Sequence, residues 1–249
     1  HWLDPRDSEQ PFPPAHRAMR DPNGLLAIGG DLSVNRLIRA YSAGIFPWFN
    51  PNEPILWWCP DPRAVLRPSE FHVSHSLAKT IRRDRFEVTV DQDFDAVIAH
   101  CAEPAKDREN TWINEEIRRL YRELFDMGFV HTIECRRAGR LVGGLYGVAL
   151  RGAFFGESMF HLETDASKVA LAHLVARLRA GGFSLLDTQF MTTHLASLGA
   201  IEISRAVYHQ ALEQALTVVS DFYVWPPDQP VTGAQTLAAL RDEANFSGF

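Results

Sequence analysis

The chain has 249 residues, 46% of them apolar, which is enough to bury one large core or a main domain with a smaller companion. A formal net charge of −6 argues against the broad basic surface that duplex DNA requires, although a local contact with RNA stays compatible with it. Three cysteines without a CxxC pair indicate a reducing compartment, and we expect the cytoplasm. No stretch approaches the roughly 20 apolar residues of a membrane-spanning helix, so we expect no membrane association.

The N-terminal quarter is rich in proline and aromatic residues. Residues 1–24 are predicted to be irregular. A helix over 33–43 is predicted next, because Ser33 can cap it and Gly44 can end it. The segment 45–60 contains four prolines and several aromatic rings, which predicts a rigid, extended path.

Helices and strands are predicted at regular intervals from residue 74 onward. In order, they are a helix over 74–84, a strand over 86–91, a helix over 94–101, a helix over 114–127 and a strand over 131–136. The first of these helices turns Leu77 and Ile81 inward. Its cations face outward: Lys79, Arg82, Arg83 and, just beyond, Arg85.

Residues 139–190 form the block around which the chain is organised. They predict a strand over 140–150, a strand over 153–160, a helix over 167–180 and a strand over 183–190. Glycines 143, 144 and 147 in the first strand indicate a bulge or a closely approaching ligand. Glu157 lies within an apolar strand, where an unpaired carboxylate is costly, so it needs a partner or a function.

The last strand of this block carries two polar side chains. If Leu186 and Thr188 face one side, the alternation of a strand places Asp187 and Gln189 together on the other. Downstream we expect helices over 193–198 and 204–216, a strand over 217–224 and then a loose extension.

This order of elements predicts an α+β fold with one main sheet. The change in composition near residue 62 predicts a domain boundary. We therefore expect a small N-terminal domain over 1–62, a main domain over 63–225 and a C-terminal extension over 226–249.

Several motifs occur in a fixed order along the chain. They are Gly29–Ser33, Gly44–Phe49, Trp57–Arg63, Thr111–Ile113, Gly156–Phe160, Asp187–Gln189 and His194–Ala200. Together they resemble the leucyl/phenylalanyl-tRNA–protein transferase family over roughly residues 11–224. The resemblance implies a GCN5-related N-acetyltransferase-like mixed sheet flanked by helices, behind a small N-terminal domain. It also implies transfer of Leu or Phe, and less well Met, from aminoacyl-tRNA to proteins beginning with Arg or Lys, which marks them for degradation by the bacterial N-end rule.

The chemistry of such a transfer limits what the protein must supply. An aminoacyl ester is already activated, so an amine can attack it directly and neither a protein nucleophile nor a cofactor is needed. Asp187 is the candidate for attracting the amine and helping to remove its proton, and Gln189 for orienting it. A relay through Asp187 and one through the ribose hydroxyl of the substrate are both open. Glu157 matches the pocket carboxylate of the family, which implies that it holds an amino or basic group of a substrate.

The resemblance also implies where the substrates bind. Trp48 and Trp112 match the positions that stack on the 3′ adenosine of the tRNA. The aminoacyl side chain needs an apolar pocket, for which the matching residues are Leu145, Phe154, Met159, Leu171, Leu174, Leu178 and Leu186. The cations of the 74–84 helix and Arg85 are candidates for contact with the acceptor stem. Three histidines, His161, His173 and His194, show no ligand spacing, so we predict no metal site.

Simpler interpretations stand beside each assignment. Asp187 and Glu157 also suit the role of satisfying buried amides or arginines, the seven apolar residues suit an ordinary core, and the cations suit a solvated face. Two other functions remain open: an acyl-CoA-dependent N-acetyltransferase and a non-catalytic binder of basic protein N-termini. The junction over 161–168 has two acids and no glycine, which disfavours binding of a diphosphate.

Overall fold

The computed structural model describes residues 1–103 and 113–241. The strands are β1 (Trp2–Leu3), β2 (Leu25–Gly29), β3 (Phe46–Pro47), β4 (Leu56–Trp58), β5 (Arg63–Leu66), β6 (Glu87–Val90), β7 (Val130–Arg137), β8 (Arg140–Leu150), β9 (Ala153–His161), β10 (Leu185–Gln189) and β11 (Ile201–Ile203). The helices are α1 (Val34–Ser42), α2 (His75–Arg82), α3 (Phe94–Ala102), α4 (Glu115–Asp126), α5 (Ala166–Ala180), α6 (Thr193–Ser197), α7 (Arg205–Thr217) and α8 (Gly233–Arg241).

Two sheets organise these elements, which confirms the α+β class and the mixed main sheet. The smaller sheet has the order β1-β2-β4-β3, and the larger has the order β11-β5-β10-β9-β8-β7-β6. Strands β6 to β9 form an antiparallel meander, and α5 then crosses over so that β10 pairs in parallel with β9. One apolar core includes Leu37 and Trp57 of the N-terminal part and Tyr146 and Phe155 of the larger sheet. The domain limits near residues 62 and 225 stay a prediction.

A cleft opens where β9 and β10 diverge. The parallel pairing of these strands runs from Ala153 with Leu185 to Phe155 with Asp187 and ends there. Strand β9 continues to His161 and β10 to Gln189, so their last residues line a gap instead of pairing. This geometry exposes polar groups of two central strands without placing them on the outer edge of the sheet.

The glycines of β8 serve packing. A Cβ at Gly143 would lie 2.5 Å from Cβ of Ala166, and one at Gly147 would lie 2.3 Å from the carbonyl oxygen of Phe155. These positions therefore let α5 and β9 approach the strand closely. The register of β8 against β9 also shifts between Tyr146 and Gly147, which agrees with the predicted bulge.

The predicted elements of the central block and the helices predicted over 193–198 and 204–216 are confirmed to within two residues at either end, but the predicted strand over 217–224 and the loose extension are wrong. Helix α7 extends to Thr217, and no strand follows over 218–224. The supposed loose extension contains α8, which packs on α2 and α5 and buries Leu237 and Leu240. No helix of the described chain is both long and apolar enough to cross a membrane.

Candidate active site

Two adjoining cavities occupy the cleft. The apolar cavity, of about 290 Å³, is lined mainly by aliphatic side chains: Leu145, Met159, Leu171, Leu174, Leu186 and Leu195. The aromatic cavity, of about 280 Å³, is lined by Phe46, Pro47, Trp48 and Phe190. Both cavities share a wall made of Glu157, Thr188, Gln189, Thr192 and Leu195. The two cavities together form one elongated cleft with an aliphatic part and an aromatic part.

Most of the predicted aminoacyl-pocket residues meet at the apolar cavity. Leu145, Met159, Leu171, Leu174 and Leu186 line it. Phe154 and Leu178 do not line it but are completely buried in the same cluster of the core. The role of all seven in binding an aminoacyl group stays a prediction.

Glu157 receives hydrogen bonds from two tyrosines on different helices. The Tyr41 hydroxyl of α1 lies 2.5 Å from Oε1, and the Tyr121 hydroxyl of α4 lies 3.1 Å from Oε2. Burial raises the pKa of Glu157 to about 7, although the two tyrosine hydrogen bonds act in the opposite direction. Near neutral pH the carboxyl group therefore switches readily between its neutral and charged forms.

Tyr41 and Tyr121 were not predicted from the sequence as partners of Glu157. The available signal was chemical, because a buried tyrosine hydroxyl generally needs a hydrogen-bond partner. Their hydroxyl oxygens also lie 2.6 Å from each other. The three side chains form one network that connects α1, α4 and β9.

Asp187 is completely buried against Arg63. Its Oδ1 lies 2.9 Å from Nε of Arg63, and its Oδ2 lies 2.7 Å from Nη2 and 2.7 Å from the Tyr208 hydroxyl. Arg63 also donates to the carbonyl oxygen of Gly44, 3.0 Å away. Burial acts to lower the pKa of Arg63, but the Asp187 carboxylate raises it further, so the guanidinium stays charged. These contacts agree with the simpler interpretation of Asp187, and its catalytic role stays a prediction.

A bulge separates Asp187 from Gln189. Opposite β5, Asp187 pairs with Val65 and Gln189 with the next residue, Ala64, so Thr188 is the extra residue. Gln189 has a φ of 58°, and it lines both cavities together with Thr188. The prediction that Asp187 and Gln189 share one face is wrong, because the bulge turns Gln189 toward the cleft while Asp187 stays in the core.

Asp187 still contacts Gln189 through the backbone. The N–H of Gln189 donates to Oδ1 of Asp187 over 3.0 Å, and the N–H of Phe190 donates to the carbonyl of Thr188 over 2.7 Å. A positive φ at a residue other than glycine is uncommon and needs support from its surroundings. Asp187 supplies part of that support.

Trp48 lines the aromatic cavity with 47% of its surface exposed. Its ring lies 5.7 Å from that of Trp58 and 5.8 Å from that of Phe190, measured between centroids. Trp57 and Trp58 are buried and belong to the core. Trp112 lies outside the described residues, so its stacking role stays a prediction.

The remaining candidate residues are the cations on and after α2 and three histidines, of which only His194 lines a cavity of the cleft. Lys79, Arg82, Arg83 and Arg85 are exposed on and after α2. His173 is buried beside the Thr236 hydroxyl, and burial lowers its pKa to about 3. His161 is exposed, whereas His194 lines the apolar cavity. Within 1–103 and 113–241, no cluster of three His, Cys, Asp or Glu side chains suits a metal ion.

Comparison with known proteins identifies the family. The family model described as leucyl/phenylalanyl-tRNA protein transferase matches residues 65–213, and the model of its N-terminal domain matches residues 30–61. The leucyl/phenylalanyl-tRNA–protein transferase of Alkalilimnicola ehrlichii is 52% identical over 219 residues, which cover 88% of this chain and 85% of the relative. The protein of the same name from Pseudomonas fluorescens is 56% identical over 205 residues, which cover 82% and 91%.

Among solved structures, L-PGS from Bacillus licheniformis covers 69% of this chain and 57% of its own, with 10% identity and a TM-score of 0.37. That likeness is too distant to inform the function. The sequence relatives are much closer and span nearly the whole chain. The chain therefore belongs to the leucyl/phenylalanyl-tRNA–protein transferase family, a family of aminoacyltransferases that act on tRNA and protein substrates.

Proposed function

We propose that this chain transfers Leu or Phe, and less well Met, from aminoacyl-tRNA to the α-amino group of proteins that begin with Arg or Lys. The reaction takes place in the cytoplasm and creates an N-end rule degradation signal. The observation that carries the proposal is the pair of adjoining cavities with Glu157 and Gln189 in their shared wall.

The 3′-terminal aminoacyl-adenosine of the tRNA spans both cavities, with its two ends in different ones. The Leu or Phe side chain enters the apolar cavity, where aliphatic contacts replace water. The terminal adenine stacks against Trp48 in the aromatic cavity, a contact worth about 1–3 kcal/mol per base. The ester bond that joins these two ends then lies at the shared wall. This arrangement supplies the positioning on which the reaction mainly depends.

The acceptor protein reaches the same wall from the solvent side. In its charged form, Glu157 attracts the basic side chain or the amino group of the acceptor. The side-chain oxygen of Gln189 accepts a hydrogen bond from the attacking amine and aims its lone pair. The amine nitrogen bonds to the ester carbon, the bond to the tRNA 3′ oxygen breaks, and the proton lost by the amine ends on that oxygen.

Asp187 contributes by positioning Gln189. Its carboxylate is occupied by Arg63, Tyr208 and the backbone N–H of Gln189, which leaves it poorly placed to receive a proton from an amine. Of the two relays for the proton, through Asp187 or through the ribose hydroxyl of the substrate, this leaves the one through the ribose hydroxyl. Asp187 acts on the reaction through the bulge that it holds in place.

One incubation separates this function from the two alternatives. The protein is mixed with Phe-tRNA, acetyl-CoA and a peptide that begins with Arg, and the mass of the peptide is measured by mass spectrometry. Gain of a phenylalanyl residue supports the proposal, gain of an acetyl group identifies an N-acetyltransferase, and no gain identifies a binding module. A peptide of the same composition that begins with Glu is the matched control and should remain unchanged.

Trp48→Ala tests the position of the adenine. Loss of about 1–3 kcal/mol of stacking raises the KM for Phe-tRNA by about 5- to 150-fold, and kcat changes less. Trp48→Phe keeps a ring and should lose less. An unchanged KM in Trp48→Ala would show that the adenine binds elsewhere.

A further inference from the structure

His194 is a polar ring on the wall of the apolar cavity. It lies in the first turn of α6 and is half-buried, next to the aliphatic wall formed by Leu171, Leu174 and Leu186. The function proposed above uses the cavity for an apolar side chain, which does not require an imidazole. The motif that begins at His194 is therefore not explained by that function.

The lining residues divide into two groups by position. Glu157, Thr188, Gln189 and Thr192 line both cavities and therefore adjoin the ester bond. The hydroxyl of Thr192 is already engaged, because it accepts the backbone N–H of Leu195 over 3.1 Å. Polar residues that line the apolar cavity but not the aromatic one adjoin the groups on the α-carbon of the aminoacyl moiety.

The α-carbon of an aminoacyl group carries two substituents besides the ester. One is the side chain, which the aliphatic residues receive. The other is the α-amino group, which loses water as the side chain enters and needs a polar partner. Polar residues of the second group are Tyr146 of β8, Ser158 of β9 and His194 of α6, and Tyr146 is completely buried in the core.

The environment of His194 suits it to accept a hydrogen bond. Burial lowers the pKa of His194, and the neighbouring Lys168 and His161 act in the same direction. The ring is therefore neutral near pH 7 and has one nitrogen that accepts. An α-amino group donates N–H in both its neutral and its protonated form. Lys168 is itself paired with Asp165 over 3.5 Å, which reduces its repulsion of a protonated amine.

We propose that His194 recognises the free α-amino group of the aminoacyl-tRNA and makes the enzyme selective for aminoacyl groups that carry one. This inference rests on the proposed function, because it places the aminoacyl side chain in the apolar cavity. His194 is a specificity-determining residue. It takes no part in breaking or forming the bonds of the transfer.

The test compares two substrates that differ at the α-carbon. One is Phe-tRNA, and the other is 3-phenylpropionyl-tRNA, which has the same ring and ester but no amino group. Wild-type enzyme should prefer Phe-tRNA by about tenfold or more in kcat/KM, since a site built to bind an N–H group penalises its absence. In His194→Phe the preference should fall to about one, mainly through loss of activity with Phe-tRNA.

Three further measurements keep the result interpretable. His194→Gln retains an acceptor oxygen and should restore part of the preference. His161→Gln should leave the preference near that of the wild type, because His161 is exposed and does not line the cavity, and Ser158→Ala should lower the preference less than His194→Phe does. Loss of selectivity in Ser158→Ala instead of in His194→Phe would overturn the inference and assign the amino group to Ser158.

The outcomes also separate this inference from the proposed function. If the wild-type enzyme transfers nothing from Phe-tRNA, the proposed function fails. If it transfers Phe and keeps the same preference in His194→Phe, the proposed function stands and the role of His194 is wrong. Unfolding midpoints of all variants show whether a loss of activity reflects a loss of the fold.

Discussion

Replacing Asp187 by alanine tests whether its carboxylate supports the site or acts as a free base. The side chain accepts hydrogen bonds from Arg63, Tyr208 and the backbone of Gln189. Arg63 has only 1% of its side-chain surface exposed, so its charge gains little water when the partner is removed. The substitution therefore leaves a buried, unpaired guanidinium, which is a costly arrangement.

The size of the effect follows from that burial. Removing one partner of a buried ion pair costs about 3–5 kcal/mol. In a chain of this length, 1 kcal/mol shifts the unfolding temperature by about 2–4 °C, so we expect Tm to fall by about 6–20 °C. Urea unfolding and calorimetry measure the loss. The rate of transfer in a single turnover should fall as well, because the bulge at Gln189 loses its acceptor.

Asp31→Ala is the matched control. Asp31 pairs with Arg36 over 2.9 Å, and Arg36 is also 1% exposed, but this pair belongs to the N-terminal part and does not line the cleft. The control should lose stability and retain transfer activity at temperatures where it is folded. If Asp187→Ala keeps the wild-type free energy of unfolding and loses only activity, Asp187 is a base and not a support.

Three other predictions concern charge and shape. The pKa of Glu157 is about 7 in the folded state and 4.5 in its ordinary state, so between pH 4.5 and 7 the folded state binds more protons than the unfolded state. The free energy of unfolding therefore falls as pH rises through this range. In Glu157→Gln, a plot of the urea midpoint of unfolding against pH should be flatter over the same range. Leu174→Phe narrows the apolar cavity and should lower the ratio of Phe to Leu transfer in a competition assay. An unchanged ratio would mean that the aminoacyl side chain binds outside this cavity. In a plot of the logarithm of the tRNA-binding constant against the logarithm of the salt concentration, Arg82→Ala combined with Arg83→Ala should reduce the slope by about one unit per lost phosphate contact. An unchanged slope would mean that these two arginines are solvated and do not contact the tRNA.

The predicted secondary structure was accurate where local signals are strong. Strands β8 and β9 and helix α5 are long and carry regular patterns, so their positions follow from the sequence. Strand β5 was missed because all four of its residues are buried, which removes the alternation that identifies a strand. Helix α8 was missed because its apolar face is short and acquires its meaning only by packing against α5.

The candidate site was also predictable only where a local signal in the sequence pointed to it. A carboxylate within an apolar strand identified Glu157 without any knowledge of its partners. Its partners Tyr41 and Tyr121 come from helices that are distant in sequence, and no local pattern connects them. The error over Asp187 and Gln189 came from assuming a regular strand, whereas one extra residue reverses the direction of every side chain that follows.

The bulge explains why two polar residues so close in sequence lie in different environments, one in the core and one in the cleft. A regular strand would place Asp187 and Gln189 together, and the cleft would then contain a carboxylate that an arginine could not reach from the core. With the bulge, Arg63 and Tyr208 hold Asp187 inside, and Gln189 reaches the cavities in a conformation that Asp187 helps to maintain. Arg63 also bonds to the carbonyl of Gly44, next to the strand that leads to Trp48. A single buried ion pair thus connects Gln189, which we propose aims the amine, with the segment that carries Trp48, the proposed stacking ring, so we expect its loss to affect the binding of both substrates.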